Sequence, residues 1–424
     1  MKHDTHAGCG PLLTPNSGGD APLKLRVFEN VRASGRTTRK DITRALGISA
    51  GSATTLTADL IQKGLLKEVA EPAKELGRGR PTVALEVVPS AAFVVGIKLA
   101  FHHHSAVLLD LAGNVVGTTV LPAPDRRRGL PQLMQEIGAL IDQLLAENGK
   151  ALSQIHGIGI GLPGIVNYDT GLVIWSSLLI DRNQDLRAAF GQTYDVPLFI
   201  DNDTNMLTLA ELWFGIGRDM TDFAVVTIED GVGMGLVTGN QLYRGTHGMG
   251  LELGHTKVQL DGALCACGQR GCLEAYLADY ALTREAATAL APASKDRADD
   301  DTMDQLFEQA KAGNVAAETI FRRAGRYLSV GLSNVVQLFD PPLIILSGKR
   351  MQHNYLYADT VRDQMQELTL SDGRQPCAIA IHAWDDLVWA RGATVPALVA
   401  ATKAMIDLPS SKRSTTLTIN HKDG

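Results

Sequence analysis

E-L-G-H-T-K-V-Q-L-D-G-A-L-C-A-C-G-Q-R-G-C-L-E, residues Glu252 to Glu274, decides the reading of this chain. Three of its five cysteines, Cys265, Cys267 and Cys272, fall within eight positions, and His255 lies ten residues upstream. Three thiolates and one imidazole make a closed tetrahedral zinc site with no position left for a catalytic water. Gly268 and Gly271 let a short knuckle bend sharply enough to aim Cys267 and Cys272 at one ion. The expectation is a structural Zn2+ held by His255, Cys265, Cys267 and Cys272. Two carboxylates, Glu252 and Glu274, bracket the cluster. Cys9 and Cys377 stand apart and are assigned no role.

Working outward, the 424 residues carry a net charge of −6 with 45% hydrophobic content, ordinary for a soluble protein of two to four domains. No apolar run is long enough to span a membrane, the first ten residues lack the apolar core of a secretory signal, and metal-clustered cysteines suit a reducing cytoplasm. The charge is uneven. Leu23 to Arg80 holds twelve Lys/Arg against six Asp/Glu, a net of +6, so the remainder carries −12. A basic module on an acidic body points to a polyanionic partner.

That module has a recognisable plan. Residues 1–22 read as a flexible tail. Leu23 to Ala33 is helical, with Leu25, Phe28 and Val31 on one face. T-T-R-K-D-I-T-R-A-L (Thr37 to Leu46), G-I-S, and A-G-S-A-T-T-L-T-A-D-L-I-Q-K (Ala50 to Lys63) then read as helix, glycine turn, helix, with Ser49 capping the second. A strand, a polar hairpin from Glu68 to Pro81 and a returning strand at Thr82 to Val87 complete a winged helix-turn-helix over 23–88. The wing tip, Gly77 to Pro81, reads G-R-G-R-P. Arg78, Gly79 and Arg80 suit the narrow minor groove of A/T-rich DNA. The second helix offers Ser52, Thr54 and Thr55 but no Arg, Asn or Gln near its start, so major-groove reading is modest. With Arg39 and Ser49, these form the expected DNA contacts.

From Ala91 strands alternate with helices. F-V-V-G-I-K-L (93–99), S-A-V-L-L-D-L (105–111) and G-N-V-V-G-T-T-V (113–120) precede a helix near Leu130 to Asn148. I-H-G-I-G-I-G-L-P-G (155–164), V-P-L-F-I-D-N-D-T-N (196–205), A-V-V-T-I (224–228) and P-L-I-I-L-S-G (342–348) follow. Two similar halves imply a two-lobed α/β body with a cleft. Lobe 1 is expected over 89–200, completed by a C-terminal helix at about 386–405. Lobe 2 with the zinc knuckle takes 201–385, and 406–424 is a polar tail.

G-T-H-G-M-G-L-E-L-G-H (Gly245 to His255) followed by C-A-C-G-Q-R-G-C-L-E resembles the zinc signature of the ROK family of bacterial repressors and sugar kinases. It departs at Leu251, where the family usually has glycine. The resemblance runs from about Phe93 to Leu398 and implies an actin-like ATPase fold. By it, Asn202 and Asp203 bind a sugar hydroxyl, and Asp203 would be the base if the protein were a kinase. Glu252, His255 and Glu274 join them around the sugar. His255 is then a zinc ligand or a sugar donor, and its two nitrogens allow both.

The nucleotide elements that a ROK kinase carries are altered. Lys98, Leu99 and Ala100 stand where Asp, Gly and Gly are expected, Glu229 and Asp230 enter the second phosphate loop, and the third reads Ser347 to Lys349. No catalytic residue is therefore assigned. The three histidines His102 to His104 point to alternating faces of an extended segment and read as a turn, not a metal site. The reading is a cytoplasmic transcriptional repressor acting as a homodimer or homotetramer. It binds operator DNA and is released by a sugar or polyol. Its rivals are a sugar kinase with an added DNA-binding domain and a repressor controlled by a partner protein.

Overall fold

The computed structural model describes residues 8–12, 21–70, 83–289, 299–348, 359–370 and 372–406. The N-terminal module is α1 (Leu23–Ser34), β1 (Thr37–Thr38), α2 (Arg39–Leu46), α3 (Ala50–Gln62), β2 (Leu66–Ala70) and β3 (Val83–Val87). Its strands pair antiparallel in the order β1-β3-β2. Thr38 caps α2 through Asp41 N–H, Ser49 caps α3 through Ser52 N–H, and Gly47 takes the left-handed φ of 65° that closes α2. Leu25, Phe28, Val31, Ile42, Leu46, Leu60 and Leu85 fill the space between.

The body comprises β4 (Phe93–Lys98), β5 (His103–Asp110), β6 (Val115–Pro122), α4 (Leu130–Glu147), β7 (Ile155–Leu162), β8 (Gly164–Asn167), β9 (Leu172–Ser176), β10 (Gln184–Asp185), α5 (Leu186–Gly191), β11 (Leu198–Asn202) and α6 (Asp203–Phe214). It continues through β12 (Phe223–Ile228), β13 (Val232–Thr238), β14 (Gln241–Tyr243), α7 (Glu274–Leu277), α8 (Asp279–Ala289), α9 (Asp299–Lys311), α10 (Val315–Phe339), β15 (Leu343–Gly348), α11 (Asp359–Leu368), β16 (Ala378–Ala383) and α12 (Val388–Met405). Two five-stranded sheets share one topology. The orders are β11-β7-β4-β5-β6 and β14-β13-β12-β15-β16. In each, the first three strands form an antiparallel meander and the last two run parallel to the first.

Each sheet's last strand feeds a helix that crosses to the other half. Helix α6 follows β11 and lies on β13, where a Cβ at Gly235 would stand 1.9 Å from Thr208 Oγ1. Helix α12 follows β16 and lies on the first sheet, where a Cβ at Gly159 would stand 1.7 Å from Ala393 O. The two helices touch at Gly392, against Met206 O. Glycines that resemble remnants of phosphate loops therefore also let helices lie close on strands.

Two expectations, the free tail and the lobe boundary, need correction. The segment 1–22 is not free throughout: Cys9 N–H donates to Arg32 O, Gly10 N–H to Trp213 O and Leu12 N–H to Arg218 O, and Cys9 is buried. The core of the N-terminal module is also continuous with the body, through Trp213, Ala390, Leu398 and Ile406. Finally, the first sheet runs to Asn202, past the boundary expected at 200. The small β8-β9-β10 sheet between Gly164 and Asp185 adds strands too short to show a pattern of their own.

Candidate functional site

The knuckle is built by short-range backbone bonds. Cys265 N–H donates to Gln269 O at 2.8 Å, Gly268 N–H to Cys265 O at 2.9 Å and Val258 N–H to Gly271 O at 2.9 Å. Gly268 and Gly271 adopt φ of 86° and 75°, and Leu251, the departure from the family pattern, holds a φ of 68° that favours glycine. The ligand atoms of His255, Cys265, Cys267 and Cys272 all lie within 4.8 Å of one another. Cys267 Sγ stands 3.8 Å from Cys272 Sγ, and His255 Nδ1 stands 3.7 Å from Cys265 Sγ. Sulfurs on a tetrahedral ion with bonds of about 2.3 Å stand about 3.8 Å apart, so the donor set fits a zinc-sized cation.

The surroundings divide over the thiolate form. Lys257 Nζ donates to Cys272 Sγ at 2.9 Å. Burial pushes the Cys265 thiol up to about 12. Cys267 lies below its ordinary value, because the Gln269 amide and the neighbouring thiols outweigh its burial. A divalent ion removes that conflict by taking the sulfurs as thiolates. Tyr280 Oη reaches Cys265 Sγ at 3.6 Å and Glu274 Oε1 at 3.4 Å, and Cys265 Sγ itself lies 3.4 Å from Glu274 Oε1. Tyr280 thus links the knuckle to Glu274. Sequence patterning did not single out Lys257 or Tyr280.

Three carboxylates converge beside it. Asp203 begins α6, Glu252 precedes the turn holding His255, and Glu274 begins α7. Burial raises the Asp203 carboxyl above its ordinary range, Lys98 opposes that rise, and Asp230 adds to it. Burial also raises Glu252, with His255 pulling it down and Glu274 and Asp203 pushing it up. Asn202 caps α6 through Thr204 N–H at 2.8 Å and donates to Gly164 O at 2.8 Å, so its amide fixes the floor of the site. Asp201 is tied to Arg244 Nε at 2.6 Å, and that guanidinium lies 4.0 Å from the Tyr168 ring centroid. Neither Arg244 nor Tyr168 stood out in the sequence.

At the first phosphate element Lys98 ends β4, and its Nζ lies 3.4 Å from the Trp389 ring centroid. Glu229 faces Gly348, whose added Cβ would meet Glu229 Oε1 at 2.9 Å. Val232 to Gly235 of the second element is strand β13. Lys349 lies outside the described residues. The histidines diverge as expected but are not all in a turn: His103 and His104 open β5, with His104 buried against Glu136 Oε2 at 3.0 Å, while His102 faces Asp125.

On the N-terminal module, Ser49, Thr54 and Thr55 are exposed and Ser52 is half-buried at the start of α3. Thr54 Oγ1 turns back to Ala50 O, leaving its methyl outward. Arg39, partly exposed at the start of α2, donates from Nε to Thr57 Oγ1 at 2.9 Å and meets Glu68 Oε1 at 2.8 Å through a terminal nitrogen. Arg78, Gly79 and Arg80 lie outside the described residues.

The fold and site define a class: a two-lobed actin-like body with a Cys3His cluster beside its carboxylates and a small basic module at its N-terminus. A family model described as ROK family matches residues 94–397. The chain belongs to the ROK family. It is 26% identical to a xylose repressor of Caldicellulosiruptor bescii over 356 residues, 81% of this chain and 87% of that one. It is 28% identical over 325 residues to the DNA-binding transcriptional dual regulator NagC of Escherichia coli K12, 76% of this chain and 79% of that one. A solved ROK family transcriptional regulator, a homologue of the E. coli MLC protein, shares its fold at a TM-score of 0.73 with 24% identity, over 90% of this chain and 97% of that one. A ROK family glucokinase from Streptomyces griseus, in complex with glucose and AMPPNP, matches at 0.62 with 25% identity, over 72% of this chain and 99% of that one. Among the described residues no helix is long and apolar enough to cross a membrane.

Proposed function

We propose that this protein is a sugar-responsive, DNA-binding transcriptional repressor of the bacterial cytoplasm. Its body binds a sugar or polyol without phosphorylating it. The observation that carries the reading is Lys98. It places an ammonium at the first phosphate element, within electrostatic reach of Asp203. That ammonium stands where a ROK kinase carries the acid that helps hold magnesium, so the nucleotide's metal would lose a ligand there. Glu229 and Asp230 add negative charge where nucleotide phosphates would lie. The regulator match covering 90% of the chain, against 72% for the glucokinase, supports the N-terminal module as a winged helix-turn-helix over 23–88.

In this reading Asp203, Glu252, His255 and Glu274 hold the sugar, with Asn202 shaping the floor. Zinc on His255 Nδ1, Cys265, Cys267 and Cys272 is structural, fixing the loop that presents Glu252 and Glu274 and leaving His255 Nε2 for a hydroxyl. Ser49, Ser52, Thr54 and Thr55 approach the major groove, and Arg78, Gly79 and Arg80 the minor groove, of an operator bound by a homodimer or homotetramer. Sugar must prefer the DNA-incompetent arrangement to act as an inducer. A thermal-shift screen of zinc-loaded protein against monosaccharides and polyols, with and without magnesium-ATP, tests it. Stabilisation by one sugar with no further shift from ATP is expected; stabilisation by ATP alone, or ADP formation with a sugar, sinks it.

A further inference from the structure

Glu211 is fully buried in α6, and five contacts converge on its carboxylate. Ser347 Oγ of β15 donates to Oε1 at 2.6 Å, and Trp384 Nε1 donates to Oε1 at 2.7 Å. His382 Nδ1 of β16 lies 2.9 Å from Oε2 and 3.1 Å from Oε1, and Ile216 N–H donates to Oε2 at 3.3 Å. One acid thus binds the two strands at the edge of the second sheet to a helix that begins at Asp203.

The far end of that helix holds the N-terminal module. Trp213 stacks under the Arg32 guanidinium at 4.6 Å, and Arg32 donates to Thr402 Oγ1 of α12 at 2.9 Å. Just past α6, Arg218 donates to Gly10 O at 3.0 Å and to Ala33 O at 2.5 Å. Arg391 of α12 lies over Phe214 at 4.2 Å and Trp384 at 6.0 Å, so both helices that carry the module meet at the Glu211 cluster. Lys63, capping α3, reaches Ile406 O at the end of α12.

We propose that Glu211 is a positioning residue through which the second sheet moves the N-terminal module. A buried carboxyl group cannot shed its partners without leaving polar atoms unsatisfied, so β15 and β16 carry α6 with them when the second lobe shifts. About 15 Å of helix then links the cleft acid Asp203 to the Arg32–Trp213 contact, and a small displacement at one end reaches the other as a rigid-body motion. This deepens the sugar-sensor reading and rests on it for its purpose. The mechanical link is testable without any sugar.

Amide hydrogen exchange on the full chain decides it, comparing wild type with Glu211→Gln and with the milder Ser347→Ala. Ser347 touches Glu211 from the second sheet, so its loss probes transmission and not the module itself. Both variants should speed exchange in α1 to α3 by about fivefold, with β4 and β5 unchanged. Acceleration confined to β15, β16 and α6 overturns the proposal, and so does an equal rise in β4 and β5, which marks general loosening. In a second arm, D-xylose and N-acetyl-D-glucosamine are the probes. The one that raises the melting temperature should alter exchange in α1 to α3 of wild type but not of Glu211→Gln, at a sugar Kd changed by less than about twofold. An unchanged response in Glu211→Gln overturns the link. If neither sugar binds, that counts against the sugar reading, while the ligand-free arm still decides the role of Glu211.

Discussion

Arg32→Met tests whether the N-terminal module and the body act as one piece. Arg32 is only 2% exposed, donates to Thr402 Oγ1 at 2.9 Å, and lies over Trp213 at 4.6 Å and Phe28 at 5.4 Å. Methionine keeps most of the aliphatic volume, so packing loss is small. What goes is a charge-assisted hydrogen bond, about 1.5–3 kcal/mol, and a desolvated cation–π contact, about 1–2 kcal/mol. Thr402 is not orphaned, since its hydroxyl donates to Leu398 O at 2.7 Å. Relief from burying a guanidinium whose Nε has no partner offsets part of the loss. The net is about 2 kcal/mol, roughly a thirtyfold shift towards an undocked module. Urea titration followed by proteolysis within α1 to α3 should show the module cleaved at lower denaturant while the body's transition stays put. A change below about 0.3 kcal/mol, or a stabilised variant, would refute the reasoning, because the desolvation penalty would then cancel the contacts.

Other consequences follow from the site. Cys265→Ser with Cys267→Ser should abolish stoichiometric zinc by elemental analysis and weaken the sugar-induced thermal shift, leaving the melting of the N-terminal module close to wild type; retained sugar affinity would break the proposed bracing of Glu274. Asp203 binds its proton more tightly folded than unfolded, so its contribution to stability is present at low pH and lost as pH rises through its raised value. Asp203→Asn should therefore raise the melting temperature of ligand-free protein at about pH 7.5 and lose that gain by about pH 4, while abolishing sugar binding. Calorimetry across pH checks the sign, and a variant less stable at neutral pH contradicts it. Arg78→Ala with Arg80→Ala should weaken binding to an A/T-rich duplex at least about tenfold and lower the salt slope by about 2. Equal binding by anisotropy would remove the wing from the interface.

The sequence was most legible where partners lie close along the chain. The four cluster donors fall between His255 and Cys272, and the helix-turn-helix shows its inner face through local periodicity. Lobe topology was legible as alternation only. That the two sheets share one strand order required pairings such as β12 with β15, which chain order does not display. Glu211 gave no signal, because His382 and Trp384 are 171 and 173 positions away. Arg244 was silent for the same reason, with Asp201 43 residues upstream. The partners of Arg39 were equally silent, since Thr57 and Glu68 lie 18 and 29 positions along the chain. The glycines of β13 carried a phosphate-loop reading because a close helix and a close phosphate make the same demand on a Cβ.

The central claim is that a sugar alone controls DNA binding. The direct test is anisotropy of the zinc-loaded protein on a duplex it selects from a random library, titrated with a monosaccharide and polyol panel in the absence of ATP. One sugar should weaken the complex by at least about tenfold, the scale of an ordinary allosteric coupling. Release only after magnesium-ATP is added, or no release by any sugar in the panel, would contradict it.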